Sequence, residues 1–257
     1  MSIRTVAVDY RNTLPLRAGL ASMTASGRLA MSLMHPAAAT RAFARGEYVL
    51  GLLPVAAALE VPQAHFVGRH GIVSDGFVGS VGIFSELPLE RIDTLFLDHD
   101  SRSSVLLARV LLEHHWRLSP EVRPAPRGYR ERLGGRRAGV IIGDPAIAAR
   151  RRYPYYYDLG AAWRAMTGLP FVFASWLGAV PLSAGFVADF DAAQARGVAD
   201  RRRLARELQP RVPHYDLTKY FTEQLRFRVD ERAAAGRALF LELGGALEDV
   251  DAAVAVG

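Results

Sequence analysis

The sequence predicts an α/β fold in two lobes, with largely parallel sheets and a ligand cleft between the lobes. Three observations lead there. Short apolar runs without helical period alternate with helical stretches along the chain, the pattern of strand–helix units. The 257 residues suffice for one large domain or for two lobes sharing a core. The middle of the chain carries strand–helix units of its own. The chain is therefore expected to cross twice between one lobe built from 1–87 and 175–257 and another built from 88–174. A cleft between such lobes is the expected place for a ligand.

Residues 5–8 are a short apolar run suited to a buried strand. Residues 11–16, with Pro15 inside, read as a loop. Residues 37–45 are helical and stop at Gly46, a residue that closes helices by taking positive φ. Residues 49–53 form a second buried strand, broken by Pro54, and 55–59 begin a helix with that proline near its first turn. Residues 79–84 and 94–97 are further strands. Residues 105–112 form a strongly apolar buried helix, for which Ser101 or Ser103 supplies the N-cap. After a strand at 140–142, Gly143, Asp144 and Pro145 read as turn, N-cap and first helical residue. Residues 171–174 are a strand, and 192–206 and 230–243 are helices. The uncharged stretch 166–188 is long enough to span a bilayer. Gly168, Pro170, Gly178, Pro181 and Gly185 interrupt it, so it reads as buried strand and loop.

Composition narrows the chemistry. Half the residues are hydrophobic and 23% are charged, as in ordinary globular proteins. The absence of cysteine excludes disulfides, thiolate nucleophiles, iron–sulfur clusters and cysteine-based zinc sites. The formal net charge is +6, and Lys219 is the only lysine, so arginine carries the positive charge. The arginines cluster at 123–137, 150–152 and 201–203, with no aromatics interleaved at a recognisable nucleic-acid spacing and no nucleic-acid-binding motif. They read as solvated faces, with no nucleic acid as partner, and their field favours a dianionic ligand. The N-terminus lacks a signal-peptide apolar core. A soluble cytoplasmic protein without membrane contact is expected.

The familiar reactive centres are missing: there is no HExxH, GxSxG or P-loop. None of the seven histidines has partners at metal-ligand spacing. His114 and His115, adjacent on a helix, point in different directions. What remains is a set of strand-end loops with small polar groups: Asn12-Thr13, Ser80, Ser101-Arg102-Ser103-Ser104 and Gly143-Asp144. Helix N-termini after Ser103 and Asp144 offer unpaired N–H groups and a positive dipole end, an arrangement that holds carboxylates. Any one of these alone is ordinarily a cap or an Asx turn. Their recurrence at successive strand ends points to a ligand.

Several of these loops match a known family. Asp9-Tyr10-Arg11-Asn12-Thr13-Leu14-Pro15-Leu16 resembles a Y-x-N-T-x-P-L loop, and Arg45-Gly46-Glu47-Tyr48-Val49 through Pro54-Val55 a G-E-x-D-x-x-L-x-P-V strand. Ser74-Asp75-Gly76, Gly79-Ser80-Val81 and Phe84-Ser85 match a central strand pair. Ser101-Arg102-Ser103-Ser104-Val105 matches an S-R-T-S-V helix start. The most specific stretch is Ile142-Gly143-Asp144-Pro145-Ala146, followed by Tyr157-Asp158-Leu159-Gly160, Trp163 and the run from Thr167 to Ala174. Tyr220-Phe221-Thr222 and Arg226-Phe227 also fit. In order and spacing, nearly the whole chain resembles the chorismate dehydratases of the futalosine route to menaquinone. It departs from them at Arg11, where an apolar residue is more usual, and at Val49, where an acidic one is expected. Ala37 stands where a serine often follows the proline, and Ser103-Ser104 replaces Thr-Ser.

The resemblance implies a periplasmic-binding-protein-like type II fold turned to catalysis. The implied reaction is dehydration of the dicarboxylate chorismate to 3-[(1-carboxyvinyl)oxy]benzoate, with no cofactor or metal. It implies catalytic roles for Asn12 and Ser80, and substrate contacts from Tyr10, Thr13, Ser103, Ser104, Gly143 and Asp144. No strong base lies in the matched loops, and the resemblance implies that the enolpyruvyl carboxylate of the substrate takes the proton. The oligomeric state stays open, a homodimer among the options. Two alternatives remain. A 1,4-dihydroxy-6-naphthoate synthase-like lyase shares the fold but relies on a histidine, and no histidine here lies in a matched loop. A non-enzymatic receptor for a small carboxylate ordinarily carries a secretion signal.

Overall fold

The computed structural model describes residues 2–98, 102–213 and 215–256, with side chains through residue 247. An apolar run buried from Thr5 onward forms β1 (Ile3–Val8). A 3-10 turn, Arg11–Thr13, leads into α1 (Leu14–Gly19) and α2 (Ala21–Ala25). Residues 11–16 are thus not a loop. Pro15 sits in the first turn of α1, where its missing N–H costs no hydrogen bond and its fixed φ suits the helix. Next come β2 (Leu29–Met34), α3 (Pro36–Ala44) and β3 (Leu50–Pro54). Gly46 follows α3 at φ 74°, as expected of a helix stop.

After the short α4 (Ala57–Glu60) come β4 (His65–Ser74), β5 (Val81–Ser85) and β6 (Thr94–Leu97). Helix α5 (Arg102–Leu111) continues into a π-helical turn, Leu112–Trp116. The chain goes on through β7 (Glu121–Pro124), β8 (Arg137–Ile142), α6 (Asp144–Ala149), β9 (Tyr155–Asp158), α7 (Leu159–Thr167) and β10 (Phe171–Gly178). It ends in α8 (Ala184–Ala199), α9 (Arg201–Leu208), α10 (Leu217–Lys219), β11 (Arg226–Arg228) and α11 (Glu231–Val256). The helix expected at 192–206 is two helices: α8 starts earlier, capped by the Ser183 hydroxyl, and Asp200 separates it from α9. The uncharged stretch 166–188 is divided between the end of α7, β10 and the start of α8. Among the described residues no helix is long and apolar enough to cross a membrane.

The chain divides into two compact units, Met1–Ser74 with Val172–Ala234, and Asp75–Phe171 with Ala235–Gly257. The sheet of the first runs in the order β11-β4-β10-β3-β1-β2, and that of the second β7-β6-β8-β5-β9. In the first, β1 lies parallel to β2 and β3, while β10 runs against β3. In the second, β6 is parallel to β7 and β8, while β5 runs against both β8 and β9. Both sheets are therefore mixed, where strand–helix alternation implies largely parallel ones. The antiparallel strands β5 and β10 pair with strands distant in sequence, and β11 likewise runs against β4. No crossover helix joins them to the neighbours they oppose, so nothing obliges them to run parallel.

Each unit has its own core. In the first, Val6, Val8, Phe43, Leu53, Val61 and Leu177 pack together. In the second, Phe84, Ile141, Tyr129, Leu133 and Tyr153 do so, while Trp163 packs edge-on against Phe171 and Phe240. Helix α1 is held unusually close to α8. A Cβ on Gly197 would lie 2.1 Å from the Pro15 carbonyl oxygen, and one on Gly19 would lie 2.3 Å from that of Ala193. The two backbones meet only because neither glycine has a side chain. Gly197→Ala is expected to cost about 3 kcal/mol by forcing them apart, seen as a fall of several degrees in the thermal midpoint. An unchanged midpoint would show that α1 is free to shift.

Candidate functional site

In the first unit, the parallel run of β1, β2 and β3 sets their carboxyl ends along one sheet edge, where ligands of such sheets bind. The loop after β1 carries Tyr10, Asn12 and Thr13. It is pinned to the end of β2 by the Asp9 N–H, which donates to the Met34 carbonyl at 2.9 Å. Thr13 is fully buried, its hydroxyl 2.7 Å from the Tyr10 carbonyl oxygen and 3.1 Å from that of Val8. It braces the loop from within. Tyr10 is half-buried at the start of the 3-10 turn. Asn12 differs from both: its Oδ1 is buried and accepts no hydrogen bond from the chain. Such an acceptor suits a donor carried by a ligand, since leaving it unsatisfied costs about 1–3 kcal/mol.

Arg17, one turn into α1, completes this corner. Its Nη1 lies 3.3 Å from Asp9 Oδ1, and its Nε is buried without a hydrogen-bond partner. Burial weakens its hold on its proton, with Asp9 opposing the shift, but a guanidinium stays charged. Nothing in the sequence distinguishes Arg17 from the many solvated arginines.

In the second unit, β5 runs against β8, so the amino end of β5 shares a sheet edge with the carboxyl ends of β6 and β8. Val81 pairs with Ile142, and just beyond that pair the Ser80 carbonyl accepts the Gly143 N–H at 2.7 Å. The structure thus brings together Ser80, which is buried, and the Gly143-Asp144 turn. Gly143 adopts φ 69° and ψ −147° and is itself the residue that caps α6; only glycine takes that backbone without strain. Asp144, expected as the N-cap, is instead the first residue of the helix and is exposed. Ser103 and Ser104 are buried in the first turn of α5, so Ser103 is not its cap. Ser101, the other expected cap, lies outside the described residues. Helix α5 packs against β5, which follows Ser80 directly, and against β8 and α7.

Asp158 is the residue that sequence reasoning quoted without giving it a role. Its Oδ2 accepts the Gly79 N–H and the Tyr156 hydroxyl, both at 2.7 Å. Its Oδ1 accepts the Ala161 N–H at 2.9 Å and the Val78 N–H at 3.1 Å. One buried carboxylate therefore caps α7 and fixes the segment leading into Ser80. The cap is readable in the sequence as an Asp before an apolar helix. The tie to Val78 and Gly79, some 80 residues away, is not. At the end of β6, buried Asp98 accepts from Arg130 Nη2 at 2.8 Å and lies 2.9 Å from the Tyr129 hydroxyl. Burial pushes the Tyr129 phenol well above its usual range, against the pull of Arg130, so it stays a neutral donor.

Of the expected site residues, Tyr10, Asn12 and Thr13 belong to the first unit, and Ser80, Ser103, Ser104, Gly143 and Asp144 to the second. Among the described residues, no three His, Asp or Glu side chains converge as metal ligands.

A family model described as menaquinone biosynthesis matches residues 3–246. Solved structures share the fold at low identity. Protein AF1704 from Archaeoglobus fulgidus superposes with a TM-score of 0.73 at 14% identity, over 96% of this chain and 98% of that one. The periplasmic aliphatic sulphonate binding protein SsuA of Escherichia coli gives 0.60 at 14% identity, over 94% and 86%. A Candida albicans gene product, CA3427, described as having the generic periplasmic binding protein fold, gives 0.57 at 9% identity, over 96% and 90%. The architecture is thus that of periplasmic-binding-protein-like folds, a class that includes small-molecule binding proteins.

Proposed function

Because the chain belongs to the menaquinone biosynthesis family, we propose that it is a hydro-lyase converting chorismate to 3-[(1-carboxyvinyl)oxy]benzoate. The observation that carries the reading is the buried Asn12 Oδ1 with no donor in the chain, at the strand end where the resemblance to chorismate dehydratases puts a catalytic residue.

Chorismate holds a cyclohexadiene, and loss of the C3 proton and the C4 hydroxyl makes the ring aromatic. The C3–H electrons become ring π electrons, the C4–O bond breaks, and the hydroxide leaves with a proton as water. Negative charge develops on the ring carboxylate, through the diene, as the proton departs. Donors aimed at that carboxylate lower the barrier, and losing one typically costs ~3 kcal/mol. Ser103 and Ser104, in the first turn of α5, are proposed for this role. Asn12 orients the substrate, its Oδ1 accepting from the substrate hydroxyl. Ser80, held through its backbone by Gly143 and through its loop by Asp158, binds a carboxylate or the departing hydroxyl. The enolpyruvyl carboxylate takes the C3 proton, so the protein's task is positioning.

Incubation of the purified protein with chorismate, followed by chromatography and mass, tests this. The expected product is an aromatic species lighter than chorismate by one water, formed equally with and without chelator. The likeness in fold to SsuA supports one other reading, a receptor. Unchanged chorismate together with thermal stabilisation of the protein by it would select that reading and overturn the lyase.

A further inference from the structure

In the second unit, a cavity lies on a different face of α5 from Ser103 and Ser104. Arg102, Val105 and Arg109, spaced so that they share one helix face, line a cavity of about 630 Å³. Ser103, Ser104, Leu107 and Leu111 are buried instead. Val122, Arg123 and Pro124 of the edge strand β7 and Leu97 and Asp98 at the end of β6 complete its lining. A second cavity of about 520 Å³ shares Arg109 and Val122 and adds Glu113 and Arg117, so the two form one groove. Leu97, Val105 and Val122 give it apolar walls. Of the acids near it, Asp98 pairs with Arg130, Glu121, also on β7, pairs with Arg123 at 2.7 Å, and Glu113 lines the second cavity.

We propose that this cavity is a second binding site, for a small anion with an apolar body: a carboxylate or a phosphate ester on an aromatic or branched hydrocarbon. Its volume falls in the range of small-ligand pockets, about 300–1,000 Å³. Arginine's planar fork matches carboxylate and phosphate oxygens alike. The four residues of β7 include Arg123 and Pro124, both of which discourage pairing with a strand from another chain. The occupant is therefore a small molecule, not a protein segment.

The site is independent of the lyase reading, and its test reads binding, not turnover. Calorimetric titration of the full chain with 1-naphthoate, 1-naphthyl phosphate and neutral 1-naphthamide is expected to show saturable binding of at least one anion, with Kd below about 1 mM. The amide is expected to bind at least about tenfold more weakly, a gap of one 1.4 kcal/mol step. The stronger of the two anions identifies the head group. A double variant, R102Q with R109Q, should weaken the anion about tenfold or more; Arg123→Gln, at an exposed strand position, serves if that variant fails to fold. Asn12→Ala should leave binding intact, and chorismate should not displace the anion. No saturation by either anion, equal binding of the amide, undiminished binding by the arginine variants, or displacement by chorismate would each overturn the site.

Discussion

Asn12→Ala is expected to lower chorismate turnover about a hundredfold or more without lowering the thermal midpoint. The two effects part company for a physical reason. In the free protein the buried Oδ1 has no donor from the chain, so deleting it removes an unfavourable burial worth about 1 kcal/mol or more. The variant should be as stable as the parent or slightly more so, while losing the group that orients the substrate. A structural asparagine would behave in the opposite way, with stability falling and turnover following in proportion. Ser80→Ala should also lose turnover while keeping the backbone bond from Gly143 to the residue-80 carbonyl. Full turnover in both variants would remove Asn12 and Ser80 from the reaction.

Asp158→Ala is expected to have the largest effect on stability. It strands three backbone N–H groups, of Val78, Gly79 and Ala161, together with the Tyr156 hydroxyl, in a place from which water is largely excluded. Bonds to a charged acceptor contribute about 1.5–3 kcal/mol each, but their losses overlap, so about 4 kcal/mol is a reasonable total. In a chain of this length that corresponds to roughly 10 °C in the thermal midpoint. Asp158→Asn should fall between, since one oxygen remains while the amide nitrogen turns a donor toward donors. A midpoint within a degree or two of the parent for Asp158→Ala would mean that the segment before Ser80 is held by something else.

The parts of this architecture that declare themselves in sequence are local. The strand at 94–97 coincides with β6 because four apolar or β-favouring residues stand between turn signals. Gly46 and Pro145 mark a helix end and a helix start as their backbone preferences dictate. Pro15 misleads because proline is as much at home in a first helical turn as in a loop. β2 passes unseen: it lies at the sheet edge with only Leu29 fully buried, and Ser32 divides its apolar residues into two runs too short to mark a strand. In β4 the pattern is interrupted by Gly68, Arg69, His70 and Gly71. The site divides the same way. The strand-end residues Asn12, Ser80 and Gly143 can be picked out by type and position. The contact between Ser80 and Gly143 depends on the antiparallel register of β5 and β8, which no local pattern encodes. Arg17 stands out only through its burial, and the tie from Asp158 to Val78 and Gly79 only through the folded chain; the capping half of the Asp158 role is the part that local sequence shows.

Asp158 has one more implication. Since a single carboxylate serves both the first turn of α7 and the amides before Ser80, the two are energetically coupled. Fraying of that helix end loosens the hold on the Ser80 segment, and release of the segment loosens the cap. A serine on a loop thereby acquires the rigidity of a helix terminus. Substitutions along α7 that loosen its start would be felt at Ser80 without any contact with it, so the tolerance of the site to sequence drift is set partly by a helix that supplies none of the proposed reacting groups.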